Sequence, residues 1–399
     1  MKALNDNAHP LESLLQQHCP NGVEFKELGE VCETLPKGTL KTSQLTANGY
    51  PVINSGRDLY GYYSKFNNES NAFTIAARGE YAGFVNFMDS KFWAGGLCYP
   101  YRSNDENKLL TKFIYYHLKT NESNIMDSLV ARGSIPAINK KDIDKKLKIP
   151  LPPLEIQSKI VEILDAFTEL EAELEAELEA RLKQYHYYRN KLLSHDELEN
   201  RTAKSRNDSD PTPIVPYVRL GEVCEKVFAG GDLPKEYSKD KKPSGEFLYP
   251  IYSNGSDENS LYGFSKTYRI DAEAVTISAR GTIGFHTTRE AKFTPIVRLI
   301  TLIPNLNKIT NRFLNYALYT THIEKYGTSA GIPQLTIPML EKITIPLPPL
   351  AVQNEIVELL DKFDTLANDL TSGIPAEIEA RKKQYEYYRE RLLSFIAKD

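Results

Sequence analysis

The chain has 399 residues, 41% hydrophobic and 26% charged, which is ordinary for a soluble globular protein with two or three domains. Its formal net charge of −4 argues against nonspecific coating of nucleic acid, although it does not exclude local basic surfaces. No run approaches the roughly 18 apolar residues of a membrane span, and the start of the chain lacks the apolar core of a signal peptide. We therefore expect a cytoplasmic protein.

A short N-terminal segment, residues 1–25, precedes a first domain predicted over residues 26–148. This domain contains β-rich runs separated by Gly, Asn, Asp and Pro, which are YPVINSG, AFTIAARG, YAGFVNF and KFWAGGLCYP. A short helix is predicted to follow at Thr111–Thr120. The mixture predicts an α+β domain, which we call head 1.

A proline connector and a long helix are predicted over residues 149–194. The prolines of IPLPPL (Ile149–Leu154) favour an extended connector, and a helix can begin after Pro153. Apolar residues then recur from Ile156 to Leu192 in steps of three or four, as in a coiled coil. One helix over Glu155–Ser194 would be about 60 Å long at 1.5 Å per residue.

The next 22 residues, 195–216, are polar and turn-rich, and they predict a flexible linker. A second α+β domain, head 2, is predicted over residues 217–344, with a short helix at Asn311–Thr320. Its β-rich runs are LYPIYSNG, AVTISARG, TIGFH and TPIVRLITLIP. A second connector and helix fill residues 345–399, where Ser372, Gly373 and Pro375 predict a kink or an interruption.

The chain is an internal duplication. LGEVCE occurs at Leu28 and Leu220, and TIAARGEYAGF from Thr74 resembles TISARGTIGF from Thr276. SIPAIN and GIPQLT, IPLPPL, and finally KQYHYYRNKLLS and KQYEYYRERLLS follow in the same order in both halves. The segments from Lys37 and from Phe228 have little in common. A shared scaffold that carries two different heads is the simplest interpretation.

Sequence motifs for catalysis are absent. The chain has no GxxxxGK[ST] loop, HExxH, GxSxG elbow, zinc-deaminase set or (N/D)PP(F/Y) tetrapeptide. The four cysteines form no CxxC pair and the seven histidines are scattered, so we expect reduced thiols and no metal site. The sequence therefore favours a protein that catalyses nothing alone.

Together these motifs resemble one known family. Two divergent heads each end in IPLPPL, a Gln-containing amphipathic segment (EIQSKIVEILDAF or AVQNEIVELLDKF) and KQYxYYRxxLLS, and CPNGVEFKELGEV stands near the N-terminus. The chain resembles the DNA-specificity subunit of type I restriction–modification systems along its whole length. Its LEAE, LEAE, LEAR run (Leu170–Arg181) is similar to the subgroup with tetrapeptide repeats in the central helix.

The resemblance implies an architecture and a set of partners. Two target-recognition heads would be separated by two long antiparallel coiled-coil helices with pseudo-two-fold symmetry, and each head would read half of a split, asymmetric site in double-stranded DNA. The helices would dock two modification subunits, which bind S-adenosylmethionine and methylate adenine. Restriction subunits with ATP- and Mg-dependent translocation and cleavage would join them. The chain itself would hold no cofactor or metal.

Candidate DNA-binding residues lie in both heads. Arg78 and Arg280 occupy matching positions before a Gly turn, where they could contact phosphate or simply fix a loop. Since heads that read different half-sites should differ at base contacts, phosphate contact is the better functional interpretation. Base-reading candidates come from the divergent segments; these are Lys37, Lys41, Thr42, Ser43, Gln44 and Arg57 in head 1, and Lys235, Lys239, Lys241, Lys242, Ser253 and Asn254 in head 2.

Candidate partner-binding residues lie on the helices. Tyr185, Tyr188 and Leu192 continue the apolar face, so we expect them to pack rather than to stack on bases. The side chains predicted to face a partner subunit are Tyr187, Arg189, Lys191, Tyr387 and Arg389. Gln157 and Gln353, in the first helical turn, could cap the helix or contact a partner. Two other hypotheses are a coiled-coil adaptor that binds protein, and an enzyme with an unrecognised active site.

Overall fold

The protein consists of two compact units. The computed structural model describes residues 19–206, 215–256, 260–280, 282–328, 334–369 and 371–395. Unit 1 comprises the residues up to Glu175 together with those from Glu377 onwards, and unit 2 comprises Ala176–Ala376. Most of the predicted N-terminal segment and the start of GIPQLT lie outside the described residues.

Head 1 contains eleven strands and four short helices within the described residues. In chain order they are β1 (Phe25–Glu27), α1 (Leu28–Val31), β2 (Cys32–Thr34), β3 (Tyr50–Ile53), β4 (Gly61–Tyr63), β5 (Ala72–Ala76), β6 (Val85–Met88), β7 (Trp93–Ala94), β8 (Cys98–Ser103), α2 (Thr111–Thr120), α3 (Glu122–Leu129), β9 (Val130–Ala131), β10 (Ala137–Ile138), α4 (Lys140–Lys146) and β11 (Lys148–Pro150). The predicted β-rich runs and the helix at Thr111–Thr120 are confirmed.

Two sheets organise head 1. An antiparallel sheet has the order β2-β8-β5-β6, and a smaller sheet has the order β4-β3-β7, in which β3 and β7 are parallel. Strand β5 is buried throughout because its residues are apolar or hydroxylic on both faces. Helix α2 packs on the larger sheet through Phe113 and Ile114, both fully buried. Strand β1 pairs with β11, so Ile149 and Pro150 of the proline connector are extended, as predicted.

Unit 2 begins with the end of the central helix and continues into head 2. Two helices, α5 (Leu154–Leu192) and α6 (His195–Arg206), precede head 2 in the chain. The elements of head 2 are, in chain order, β12 (Tyr217–Arg219), α7 (Leu220–Val223), β13 (Cys224–Ala229), β14 (Tyr237–Ser238), β15 (Tyr249–Tyr252), β16 (Leu261–Ser265), β17 (Ala274–Ser278), β18 (His286–Arg289), β19 (Thr294–Pro295), β20 (Leu299–Pro304), α8 (Asn311–Leu318), α9 (Ile337–Leu340) and β21 (Thr344–Pro346). Helix α10 (Leu350–Asn368) follows in unit 2, and most of the last helix, α11 (Ile374–Leu392), belongs to unit 1.

Head 2 repeats the two sheets of head 1, with β14 as an additional strand at the edge of its smaller sheet. Its larger sheet has the order β13-β20-β17-β18, and β15 lies between β16 and β19, antiparallel to the first and parallel to the second. Strands β3 and β15 are therefore equivalent, and the turns after them, NSG and SNG, have the same length and end in the same glycine. This corrects the expectation that these parts of the two heads share little. Between this glycine and the sequence LYG, head 2 has three more residues than head 1, so the two segments do not align without a gap.

Each unit is completed by a helix from the other sequence repeat. In unit 1, Phe167 of α5 stacks with Tyr388 of α11 at 5.6 Å, and Lys382 pairs with Glu171 and Glu175. The partners run in opposite directions along the chain, so the helices pack antiparallel. In unit 2, Tyr188 of α5 stacks in the same way on Phe363 of α10, with ring centroids 5.1 Å apart. The α+β class and the antiparallel helix packing are thus confirmed.

The segment predicted as a linker is partly helical. Helix α6 occupies His195–Arg206, the first half of residues 195–216. Leu198 is fully buried and Thr202 nearly so, while Arg201 forms ion pairs with Glu197 of α6 and Glu355 of α10. The prediction of a flexible linker is therefore wrong for this half. Burial of Leu198 and Thr202, four residues apart on one face, stabilises the helix, and so does the ion pair of Arg201 with the neighbouring helix α10.

The second long helix is interrupted where the sequence predicts it. Helix α10 ends at Asn368 and α11 begins at Ile374. The backbone turns between them, where the Asp369 side chain accepts hydrogen bonds from Thr371 and Ser372. Gly373 is required there, because a Cβ atom would stand 2.5 Å from the carbonyl oxygen of Thr365 and 2.7 Å from that of Asp369.

Candidate nucleic-acid interface

A buried glutamine fastens each head to its helix. The Gln157 side chain is fully buried; its Oε1 accepts from the Leu110 amide (2.8 Å), and its Nε2 donates to the carbonyls of Lys108 (2.9 Å) and Pro152 (2.8 Å). Gln353 makes the same three bonds to Thr310, Lys308 and Pro348. The prediction of partner contact is wrong for both glutamines, because their polar atoms are satisfied internally and no solvent reaches them.

An aspartate provides a second attachment of each head. Asp165 of α5 accepts from Tyr116 (2.5 Å) and Lys112 (2.7 Å), both on α2 of head 1. Asp361 of α10 accepts likewise from Tyr316 (2.7 Å) and Arg312 (2.6 Å) of head 2. Within each unit, the glutamine and the aspartate together hold the head on its helix, so the recognition loops occupy a fixed position relative to that helix.

The matched arginines lie at a junction of two repeated motifs. Arg78 pairs through its backbone with Ala137 of SIPAIN, and Arg280 pairs in the same way with Gln334 of GIPQLT. The following Gly79 has a φ of +101°, which L side chains rarely adopt and which turns the chain back towards β6. The Arg78 side chain is exposed and that of Arg280 is half-buried. Both arginines thus stand at equivalent surface turns.

Head 1 has an open concavity beside this turn. The loop Ser55–Tyr60 and the turn Gly79–Tyr81 enclose about 370 Å³. The guanidinium of Arg57 lies 5.0 Å from the ring centroid of Tyr81 and 5.6 Å from that of Phe84. Leu59 and Tyr60 are 46% and 43% exposed. The structure therefore brings Arg57 close to the turn at Arg78, and the exposed side chains of Leu59 and Tyr60 add apolar surface to the concavity between them.

The other candidates of head 1 divide into two groups. Lys41, Thr42, Ser43 and Gln44 form an exposed turn, and the Thr42 hydroxyl bonds to the Tyr60 hydroxyl at 2.8 Å, which joins this turn to the Arg57 loop. Lys37 is different, since its ammonium donates to the carbonyls of Gly96 (3.1 Å) and Cys98 (3.3 Å) and lies over the Tyr99 ring. Two of its three donors are thus used inside the head, while the residue is exposed, and its contact with DNA stays a prediction.

The candidates of head 2 divide in the same way. Lys235, Lys239 and Lys242 are exposed. Lys241 donates to the carbonyl of Leu261. Asn254 donates to the Val297 carbonyl (3.0 Å) and accepts from the Ala279 amide (3.1 Å), so both functions of its amide hold the head together. The Ser253 hydroxyl donates to the carbonyl of Asn254 (3.3 Å). Asn254 is therefore structural, which corrects its prediction as a base contact, whereas that of the half-buried Ser253 stays a prediction.

The aromatic repeat on the helices packs, as predicted. Tyr185 is 4% and Leu192 6% exposed, and Tyr188 stacks on Phe363. Arg189 was expected to face a partner, but it lies over the Tyr319 ring at 4.3 Å. Arg389 likewise lies over Tyr385 at 5.3 Å, and the Nε atoms of both arginines are buried. Both predictions of outward-facing arginines are corrected, because the planar guanidinium favours a ring face.

Three predicted partner-binding side chains do face outward. Tyr187 and Tyr387 are 60% and 53% exposed, and Lys191 is exposed next to Tyr187. The two tyrosines stand at matching positions of the repeat. Their role in binding a partner stays a prediction.

Three residues that were not predicted from the sequence support the Arg57 loop. Tyr81, Phe84 and Lys119 surround it, with the Lys119 ammonium 3.6 Å from the Phe84 centroid and paired with Glu122 at 2.7 Å. Burial lowers the pKa of Lys119, and Glu122 opposes that decrease. The aromatic residues directly after the Arg78 turn were the one indication in the sequence of such a contact, since an arginine near aromatic residues often stacks on them.

The described part of the chain was predicted to hold no metal site. Within it, no group of three or more His, Cys, Asp or Glu side chains could hold a metal ion. Burial raises the pKa of the Cys98 and Cys224 thiols to about 12. Among the same residues, no helix is long and apolar enough to cross a lipid bilayer.

Both repeats match one family model. Residues 20–184 and 215–380 match the type I restriction modification DNA specificity domain. The chain belongs to the type I specificity family. A putative type I specificity subunit of Mycoplasma pneumoniae is 36% identical over 335 residues, which cover 81% of this chain and 93% of that protein. The specificity subunit of the Escherichia coli type I restriction enzyme EcoR124I/EcoR124II is 31% identical, with 94% of each chain covered.

A solved structure supports the fold of this specificity-family member. The crystal structure of the S subunit of a type I restriction–modification system from M. genitalium aligns with a TM-score of 0.65 and covers 99% of each chain at 22% identity. The likeness extends over both heads and both long helical segments, so the duplicated fold is that of type I specificity subunits.

Proposed function

We propose that this protein is the sequence-specific DNA-binding subunit of a type I restriction–modification complex. Each head would read one half of a bipartite, asymmetric site in double-stranded DNA. The observation that carries the proposal is the match of each repeat, separately, to the DNA specificity domain. The exposed Arg78 turn and Arg57 loop give head 1 cationic groups at its surface, in a chain whose overall charge is negative.

The helices would serve as the docking platform for partner subunits. Two modification subunits would bind equivalent surfaces near Tyr187 and Tyr387, since a duplicated chain presents the same features twice. Restriction subunits would join this core. S-adenosylmethionine, ATP and Mg would be bound by those partners and not by this chain, whose role would be non-catalytic. With DNA as its ligand, the cytoplasm is the proposed compartment.

Selection from a randomised DNA library tests the proposal. The chain, expressed together with the modification subunit of its system, is incubated with random duplexes, and bound duplexes are sequenced. We expect two short specific blocks separated by a spacer of fixed length and random sequence. Recovery of duplexes with no shared sequence would contradict the proposal and would favour a coiled-coil adaptor that binds protein.

A further inference from the structure

Arg57 is an arginine whose plane is fixed while its donors stay available. Its guanidinium lies 5.0 Å from the Tyr81 centroid and 5.6 Å from the Phe84 centroid, and the two rings are arranged edge-on at 71°. Stacking on an aromatic face restrains the guanidinium without using its N–H groups. Among the described residues, no acceptor for these N–H groups is found. Part of the conformational entropy that this side chain would lose on binding a ligand is therefore already lost in the free protein.

Among the described residues, no carboxylate forms a direct ion pair with Arg57, although Asp58 and Glu80 line the same concavity. The neighbouring cation Lys119, which faces the same Phe84 ring, is neutralised by Glu122 at 2.7 Å and also donates to the Val85 carbonyl. Two of the three ammonium donors of Lys37 go to backbone carbonyls, and Lys41, the remaining cation predicted to read bases from this head, lies on the separate exposed turn Lys41–Gln44. Arg57 is thus the cation of this loop that can offer a hydrogen-bonding group to DNA.

The concavity around Arg57 favours a base edge over a phosphate. Asp58 and Glu80, both exposed, line it together with Leu59 and Tyr60. Two carboxylates repel a phosphate, whereas a carboxylate can accept a hydrogen bond from the amino group of a base. The planar fork of an arginine matches the two acceptors, O6 and N7, that guanine presents in the major groove.

The position of Arg57 differs between the two heads. Strands β3 and β15 are equivalent, and the third residue after each is Gly56 or Gly255. Between this glycine and the following LYG, head 1 has RD and head 2 has SDENS, so head 2 has no arginine in the segment where head 1 has Arg57. Arg78 corresponds to Arg280, which is the same residue type in both heads. A contact that specifies sequence must differ between heads that read different half-sites, and a contact to the uniform backbone need not.

We propose that Arg57 is a specificity-determining residue of head 1 and reads one guanine of its half-site through paired hydrogen bonds to O6 and N7. Tyr81 and Phe84 are its positioning residues. This inference rests on the proposed function of the heads in DNA binding. It gives the two arginines different roles: Arg57 determines which sequence is bound, and Arg78 contributes to affinity for any sequence.

The test compares Arg57→Lys and Arg57→Gln with Arg78→Lys as the matched control. The complex with the modification subunit is titrated with the duplex selected by the wild type and with duplexes changed at one position each. For the wild type, we expect at least about 10-fold tighter binding with guanine at one position of one half-site. Both Arg57 variants should reduce that preference below about 3-fold and leave every other position unchanged.

Arg78→Lys should instead weaken all duplexes by a similar factor and preserve each base preference. The proposal for Arg57 is overturned if its variants keep the guanine preference, or if the preference they lose is for another base. A wild type that prefers no sequence overturns the proposed function as well. Melting temperatures of the variants, which replace one exposed side chain, should match that of the wild type and show that folding is intact.

Discussion

Gln157 and Gln353 show how one side chain can attach a domain to a helix. Each amide satisfies one backbone N–H and two backbone carbonyls that meet at the end of the proline connector. These backbone groups are left over where an extended connector becomes a helix, and burying them unpaired would be costly. A glutamine is long enough to reach all three, and it is neutral, so its burial is tolerated.

Replacing Gln157 by Leu should destabilise unit 1. The substitution leaves the Leu110 amide and the Lys108 and Pro152 carbonyls without partners, so we expect the free energy of unfolding to fall by at least about 2 kcal/mol. Urea titration followed by circular dichroism measures it. Ser158→Ala, at the exposed neighbouring position, is the control and should change the value by less than about 0.5 kcal/mol. Equal effects of the two substitutions would contradict this role.

His286 makes the stability of head 2 sensitive to acid. The residue is 5% exposed and its Nδ1 bonds to Asn315 Oδ1 at 2.9 Å. Burial lowers the pKa of His286 from its ordinary 6.5 to about 4; the bond to Asn315 opposes this decrease, and the charge of Arg189 adds to it. Between these two pH values the unfolded chain binds one proton more than the folded chain. The contribution of neutral His286 to the free energy of unfolding is therefore fully present above pH 6.5 and decreases as the pH falls towards 4.

Replacing His286 by Val, the equivalent residue of head 1 being Val85, should remove this acid sensitivity. The stability of the wild type should fall by up to about 1.4 kcal/mol per pH unit more steeply than that of the variant between pH 6.5 and 4. Thermal or urea unfolding at several pH values provides the curves. Parallel curves for the two proteins across this window would show that His286 is not the titrating group.

Single residues were the hardest part to predict from sequence. Lys37 bonds to Cys98, Asn254 to Val297 and Gln157 to Leu110, which are backbone partners between 43 and 61 residues away that no local pattern reveals. Tyr185 and Leu192 were predicted correctly because helical periodicity alone places them on the packed face. Arg57 was named because it lies in a segment thought to diverge between the heads, but its stacking on Tyr81 depends on a tertiary contact.

At the scale of elements, helices and strands followed the sequence closely. Proline fixed the start of α5 and α10, and the interruption at Gly373 fell where predicted. The first half of the supposed linker was missed because its helix depends on ion pairs with α10 rather than on a strong apolar pattern. Insertions between strands also hid the equivalence of β3 and β15, since sequence comparison loses register in loops.

The interruption between α10 and α11 should not tolerate a Cβ atom at position 373. Gly373→Ala would place that atom within 3.0 Å of three backbone oxygens, so we expect a loss of about 1–3 kcal/mol in the free energy of unfolding. Gly133→Ala is the matched control, because nothing lies within 4 Å of a Cβ atom there. Differential scanning calorimetry compares the two. A Gly373→Ala protein as stable as the control would contradict the close approach.

The LEAE repeat predicts a dependence of the DNA spacer on helix length. One additional LEAE in the run Leu170–Arg181 extends α5 by about 6 Å, slightly more than one turn, so the apolar face is almost preserved. At 3.4 Å per base pair this is roughly one to two base pairs. Duplex selection with the extended protein should recover both half-sites unchanged and a longer spacer. An unchanged spacer would show that the helix does not set this distance.

At the scale of the whole chain, the duplication explains why each unit contains parts of both repeats. The segment that ends the first repeat packs in unit 2, and the segment that ends the second packs in unit 1. The repeated KQYHYYRNKLLS and KQYEYYRERLLS are therefore framework, and their sequence is constrained by similar packing. In the proposed function, recognition belongs to the heads, whose loops differ in sequence.

The central claim is that each head reads its own half of a bipartite site, and head exchange tests it most directly. Residues 25–150, which keep strands β1 and β11 paired, are replaced by the corresponding segment of the M. pneumoniae relative. Each protein is expressed with the modification subunit of its system, and methylated adenines are mapped across the genome. We expect a bipartite motif in which one half changes and the other is retained. A motif that changes in both halves, changes in neither, or is absent would contradict the account.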